Sequence, residues 1–127
     1  IDELIYQTGL SNRAIKDRMR QMGFTAREII YADVEPKSID ELKLAGFSIW
    51  QTKKGRVEDE VRDIRDNDKI YISKRSVNTI KEIRNYRFAI DRSGRSLNVP
   101  IKGDDHAMDA MRYARKSINQ KNKMKWT

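Results

Sequence analysis

The sequence contains no cysteine. This excludes disulfides and cysteine-based zinc sites, and it fits a reducing compartment. No apolar run approaches the roughly 18 residues of a membrane span, so no membrane partner is expected. No Gly-Lys-Ser/Thr stands at the spacing a Walker A loop requires, which excludes a visible ATPase site. Neither an internal repeat nor a long linker divides the chain.

What remains is a folded, basic chain. Its 127 residues fit one compact domain, and 38% hydrophobic residues suffice for a modest core. Charged residues reach 36%, against an average of about 25%. Long apolar side chains nevertheless recur in ordered bursts, which a disordered segment would lack. Lysine and arginine total 27 against 19 acids, a net charge of +8. Such a balance points to a polyanionic partner, with nucleic acid favoured over a merely solvated basic surface. The chain opens on Ile1 in what reads as a mid-domain strand, so a piece of a longer protein is expected.

Strands and helices alternate. Residues 1–6 have period-two character and read as a strand. Ser11 caps a helix to about Met22, ended by Gly23. Residues 28–33 form a continuous apolar run that finishes in Asp33, a pattern that suits a strand buried on both faces. Ser38 with Glu41 makes a capping box for a helix to about Ala45, closed by Gly46. Residues 47–51 read as a strand with Trp50 in the core. A helix follows Arg56 to about Asp66, with Val57, Val61 and Ile64 inward. Residues 69–73 read as a strand, and Ser76 caps a helix carrying Val77, Ile80 and Ile83. Residues 86–90 and 97–101 look like a β-hairpin across the turn that starts at Asp91. Asp104 caps a final helix to about Asn119, and residues 120–127 form a basic tail. The alternation predicts an α/β domain with a mixed sheet over residues 1–119.

The strongest chemical constellation opens that last helix. Asp105 and Asp109 are four apart, and His106 and Asp109 three apart, so they share one helix face. Two close carboxylates repel unless a cation sits between them, and hard divalent ions prefer carboxylate oxygens. Asp104 reads more simply as the cap. Asp109 lies past the first turn on that reading, which weakens the helix-dipole explanation. His106 beside two acids suits an orienting or proton-shuttling role.

The second candidate is Asp33. An unpaired carboxylate at a buried strand end costs free energy, and strand ends of α/β sheets are where ligands bind. Glu35 ranks below it. Lys37 is a candidate phosphate contact. The turn Lys53-Lys54-Gly55-Arg56 is another, because glycine lets backbone approach a phosphate between flanking cations. Residues 8–20 resemble part of a helix-turn-helix, but the element before them reads as a strand. Trp50 and Trp126 are candidates for stacking on bases.

At these residues the chain resembles the nuclease domain of the large terminase subunits of tailed bacteriophages. Tyr31-Ala-Asp-Val-Glu-Pro-Lys-Ser38 resembles the family's central strand ending in aspartate. Lys54-Gly55 resembles its lysine–glycine turn, Glu82 and Tyr86 its acid and tyrosine before a late hairpin. Asp105-His-Ala-Met-Asp-Ala-Met-Arg-Tyr113 resembles its closing helix. The resemblance implies an RNase H-like fold and a metal-dependent DNA endonuclease that cuts concatemeric viral DNA. Asp33 and Asp109 would be metal ligands for Mg²⁺ or Mn²⁺, with His106 beside the metal and Asp105 an auxiliary acid. Partners implied are double-stranded DNA, an ATPase domain in the same parent chain, the small terminase subunit and the portal protein, in the cytoplasm of the bacterial host. The family's leading strand, with its own aspartate, has no counterpart from Ile1 onward. Asp2 and Glu3 read as ordinary strand positions. This stretch alone is therefore expected to bind metal weakly and cut DNA poorly. Two alternatives stand beside this: another RNase H-like nuclease of resolvase or transposase type, and a non-catalytic basic DNA-binding module.

Overall fold

Ser11 opens the first helix as its residue type suggests. Its hydroxyl accepts the Ala14 N–H, and α1 runs Asn12–Gln21. Gly23, at φ 86°, ends it. The Phe24 N–H returns to the Met19 carbonyl and the Gly23 N–H to that of Arg20, the double bond of a Schellman motif. The computed structural model describes residues 1–86, 88–90, 92–100, 103 and 105–125, with side chains over 1–86, 92–95, 103 and 105–118. Asp91, Ile101, Asp104 and Trp126 lie outside the described residues, so the expected cap, the far hairpin ends and the second tryptophan are not placed. The chain divides into two compact units, Gln7–Lys53 and Ile1–Tyr6 with Lys54–Thr127.

In the Gln7–Lys53 unit, α1 is followed by β1 (Ile29–Ala32), α2 (Pro36–Leu44) and β2 (Ser48–Gln51). β1 and β2 pair in parallel, Ile30 opposite Ile49 and Tyr31 opposite Trp50. Alternation then decides what is buried. Ile49 is buried, and Ile30 and Ala32 pack beside it against Met19, Ile39, Leu42 and Phe47. The opposite face differs from the expectation. Ile29 is 45% exposed, so β1 is not buried on both faces, and Trp50 is 55% exposed rather than core. Lys43 Nζ lies 5.5 Å from the Trp50 ring centroid.

The start of α2 also differs. Pro36 occupies its first turn and Glu35 is the N-cap, so Ser38 sits inside the helix and does not cap it. Proline is pre-set for the first helical position, which pulls the start forward. The Ser38 hydroxyl instead donates to the Glu35 carboxylate, and Asn12 Nδ2 donates to Ser38 Oγ and Glu41. Gly46 closes α2 at φ 99°, with the Phe47 N–H on the Leu42 carbonyl. A Cβ there would meet nothing within 4 Å. Gly46→Ala is therefore expected to cost about 1 kcal/mol through backbone strain alone, read as a lowered urea midpoint with an unchanged slope.

The other unit carries α3 (Val57–Asn67), α4 (Val77–Asn85), the hairpin β3 (Phe88–Ile90) and β4 (Ser96–Pro100), and α5 (His106–Lys125). β3 and β4 are antiparallel, as the sequence predicts. α5 continues six residues beyond the predicted end, through Lys125. No glycine or proline follows His106 to stop it, so most of the expected tail is helix.

Residues 1–6 and 69–73, expected as strands, form none. Ile1 exchanges bonds with this segment, its amino group donating to the Tyr71 carbonyl and its own carbonyl accepting the Ser73 N–H. The next donor breaks the ladder, because the Glu3 N–H goes to Ser76 Oγ at 2.8 Å. With no helix before α1, the helix-turn-helix reading falls away.

Polar side chains are prominent among the buried residues described in this unit. Beside Ile64 and Met108 it buries Ser76, Thr79, Glu82, Arg112 and Ser117. α4 buries Thr79 and Glu82 and leaves Val77 64% exposed, with Ile80 half-buried. Among the described residues no helix is long and apolar enough to cross a membrane.

Candidate active site

Asp33 follows directly on β1. The Thr52 N–H donates to the Ala32 carbonyl at 2.9 Å, so pairing with the neighbouring chain holds the backbone up to the residue before it. Its side chain is exposed, where a carboxylate keeps its hydration. Glu35, the lower-ranked candidate, is occupied at the start of α2. The Ser38 hydroxyl, its own backbone N–H and Lys37 together hold its carboxyl below the usual range, against a small opposing effect of desolvation. Lys37 and Lys53 are exposed.

In the second unit the acids and the histidine gather at the start of α5. The Asp109 N–H donates to the Asp105 carbonyl at 2.8 Å, which places Asp105 at the cap and Asp109 within the first turn. Asp109 is thus nearer the helix start than its spacing from Asp104 suggests, and the helix dipole favours its charge. His106 is exposed, and its ring meets that of Tyr6 edge-on, centroids 6.4 Å apart.

The first-turn amides of α5 are taken by a residue from another helix. Glu82, 3% exposed, accepts the Ala107 N–H at 2.8 Å and the Met108 N–H at 3.1 Å through Oε1. Its Oε2 accepts the Tyr6 hydroxyl at 2.6 Å.

Asp109 is paired. Arg112, one turn on, donates from Nη2 to Asp109 Oδ1 at 2.5 Å and from Nη1 to Glu60 Oε2. The Arg112 side chain is 5% exposed, that of Glu60 12% and that of Asp109 32%. Burial pushes the Tyr86 phenol above its ordinary value of 10.0; Arg112 opposes the shift, and Asp109 and Asp105 add to it.

Glu60 also organises the basic turn. It accepts the Gly55 N–H at 3.1 Å and lies 3.6 Å from Lys116 Nζ. Arg56 pairs with Glu58 and Asp59 of the same helix start. Lys54 Nζ stands 6.0 Å from the Tyr113 ring centroid. The amide that glycine would offer to a phosphate is therefore donated to a carboxylate, and part of the turn's charge is balanced by α3.

Asp2 and Glu3 are likewise committed. Asp2 accepts from Arg75 and Ser73. Glu3 caps α4, its Oε1 accepting the Thr79 N–H at 2.8 Å and its Oε2 accepting from Asn78. Ser76 holds the N-cap position without capping, since its hydroxyl takes the Glu3 N–H instead. Desolvation raises the Glu3 carboxyl, but the bonds from Asn78 and Thr79 outweigh it, so it titrates below its ordinary 4.5. A depressed acid stabilises the fold above its unfolded value and loses that contribution as pH falls through the folded one. The protection factor of the Thr79 amide, its exchange rate divided into the intrinsic rate at the same pH, is therefore expected to be level above pH 4.5 and to fall below it. In Glu3→Gln that acid-side loss should be absent.

The donors at these positions are hard oxygens and one imidazole, a set that fits a divalent cation such as Mg²⁺ or Mn²⁺. Among the described residues no group of three His, Cys, Asp or Glu side chains is assembled to hold an ion, so the placed acids offer part of a shell.

Residues 1–117 match the family described as terminase RNAseH like domain. The chain belongs to this family. The terminase RNase H-like domain is 35% identical over 120 residues to the large terminase subunit of Bacillus phage SPP1, covering 90% of this chain and 28% of that protein. It is 28% identical over 112 residues to the PBSX phage terminase large subunit of Bacillus subtilis strain 168, covering 86% and 26%. The chain thus spans about a quarter of the length of these curated relatives. Its fold is similar to the crystal structure of the g2p large terminase nuclease domain from bacteriophage SPP1 with bound Mn. The TM-score is 0.73 at 32% identity, covering 85% of this chain and 64% of that one. The expected RNase H-like α/β class therefore holds.

Sequence reading passed over Arg112, Glu60 and Tyr6. Arg112 carried a readable signal, a cation three residues after Asp109 on the same helix face. Glu60 and Tyr6 meet their partners only through the fold.

Proposed function

We propose that this terminase domain is a metal-dependent endonuclease that cuts concatemeric double-stranded DNA during phage genome packaging. The observation that carries the reading is the start of α5. Asp105, His106 and Asp109 occupy its cap and first turn, in a chain similar in fold to a terminase nuclease domain with bound Mn. Asp33 and Asp109 each supply a carboxylate to Mg²⁺ or Mn²⁺, which when bound activates water and stabilises charge on the scissile phosphate. Asp105 is the auxiliary acid. His106 sits at the exposed edge of the same turn, able to hold or pass a proton. Lys37, Lys53, Lys54 and Arg56 contact backbone phosphates, which positions DNA without reading its sequence. Arg112 holds one Asp109 oxygen, so a metal must share Asp109 with it, and the 127-residue chain binds metal weakly and cuts poorly by itself. In the parent protein the domain works with an ATPase domain of the same chain, the small terminase subunit and the portal, in the host cytoplasm.

One observation favours a second reading, a basic DNA-binding module with structural acids: Asp109 is already neutralised by Arg112. Chelation separates the two. In the intact parent protein EDTA is expected to stop cleavage of linear double-stranded DNA, and added Mg²⁺ or Mn²⁺ to restore it, while DNA binding persists throughout. Cleavage that continues in EDTA would remove the metal from the reading. Binding without cleavage under any metal would favour the second one.

A further inference from the structure

The first four N–H groups of a helix have no partner inside it, and a nearby Ser, Thr, Asp or Asn commonly takes one. At α5 two of them go to a carboxylate 25 and 26 residues earlier in the chain, on α4. We propose that Glu82 is a positioning residue for the metal-binding end of α5, with Tyr6 as its brace. This rests on the reading of His106 and Asp109 as parts of the active site.

The choice of residue needs explaining. A buried carboxylate is costly to desolvate, and no cation pairs with Glu82 among the described residues. What compensates it is the positive end of α5 and the Tyr6 hydroxyl. A water or a local cap would satisfy the same amides without tying α5 to α4. The amides held are those of Ala107 and Met108, the two residues directly between His106 and Asp109. Fixing them fixes the backbone that carries both functional side chains. Tyr6 makes the arrangement tighter still, because its hydroxyl holds Glu82 Oε2 while its ring lies against His106. Metal and catalytic groups need placement to within about 0.5 Å, which a bonded brace from a neighbouring helix supplies.

The test uses the 127-residue chain with Glu82→Gln, Tyr6→Phe and Asp109→Asn, read by amide NMR and by Mn²⁺ titration followed by electron paramagnetic resonance. Glu82→Gln keeps one acceptor oxygen and the side-chain shape. It is expected to shift the Ala107 and Met108 amide resonances and to weaken Mn²⁺ binding by about 10-fold, the effect of losing an outer-shell partner. Tyr6→Phe should move the same amides in the same direction by less, and it carries the test if Glu82→Gln does not fold. Asp109→Asn separates the layers. If it weakens Mn²⁺ binding and Glu82→Gln does not, the positioning role alone is overturned. If Asp109→Asn leaves Mn²⁺ binding unchanged, the active-site reading itself fails and takes the proposal with it. Unmoved Ala107 and Met108 amides in both Glu82→Gln and Tyr6→Phe would overturn the brace.

Discussion

Asp109→Ala in the intact parent protein is expected to lower metal-dependent DNA cleavage by about 10²-fold or more. A bound divalent metal supplies several kcal/mol of transition-state stabilisation, and each 1.36 kcal/mol is tenfold in rate. Asp33→Ala is expected to do the same. Neither change should weaken DNA binding, and each should tighten it slightly, since a negative charge near the phosphates is removed. Gel-based cleavage of linear DNA beside a binding titration at fixed salt reads both effects. Glu58→Ala is the control, because that acid is paired with Arg56 at the start of α3 and no role in cutting is assigned to it. Retained cleavage in both aspartate variants would break the site assignment.

The second large effect concerns stability. Arg112→Met removes the cation that joins Asp109 to Glu60 and leaves the mostly buried Glu60 carboxylate facing an apolar chain. Breaking a buried pair from one side costs about 3 kcal/mol or more, because the surviving charge stays desolvated. Glu60 keeps the Gly55 N–H and Lys116, which places the expected loss at the lower end. A urea midpoint measures it, and the double variant Arg112→Met with Glu60→Gln should recover part. A loss below about 1 kcal/mol would show that the pair behaves as a surface bridge. Arg115 poses the contrast. It binds Asp63 and Asp68 of the α3 end and its pKa is raised, chiefly by the Asp68 bond. Asp63 is half exposed, so losing that contact should cost little.

Elements with local signals were legible in the sequence. Ser11, Gly23 and Gly46 mark helix ends by their own backbone chemistry, and residues 29–32 and 48–51 form strands where apolar runs stand. Asp33 after a strand follows from the apolar run before it, whereas spacing from Asp104 put Asp109 past the first turn in which the structure places it. One source of failure is that periodicity looks for apolar faces. Among the described side chains the Ile1–Tyr6, Lys54–Thr127 unit also buries Thr79, Glu82 and Arg112, which such a pattern does not register. Its caps come from far along the chain. Glu3 caps α4 from more than seventy residues away, and Glu82 caps α5. A local search therefore credits Ser76, which holds the position but whose hydroxyl oxygen accepts the Glu3 N–H. Trp50 fails for a related reason, since period two places it opposite Ile49, on the exposed face.

These cross-chain caps bear on function. The two acids that a leading-strand search would try first, Asp2 and Glu3, are engaged in holding α4 and its preceding turn. The acids proposed for metal are Asp33, which follows β1, and Asp109, which Arg112 binds through Oδ1. Arg112 then has a double part. It pairs with the mostly buried Glu60 and it holds Asp109 through one carboxylate oxygen.

Crystals of the parent protein soaked in MnCl₂, with data collected at the manganese edge, test this most directly. The expected result is an anomalous peak within roughly 2.0–2.1 Å of a carboxylate oxygen of Asp109, and likewise of Asp33, as for small octahedral cations. Density confined to the exposed α3 acids such as Asp59 and Asp63, with Asp33 and Asp109 bare, would contradict the account.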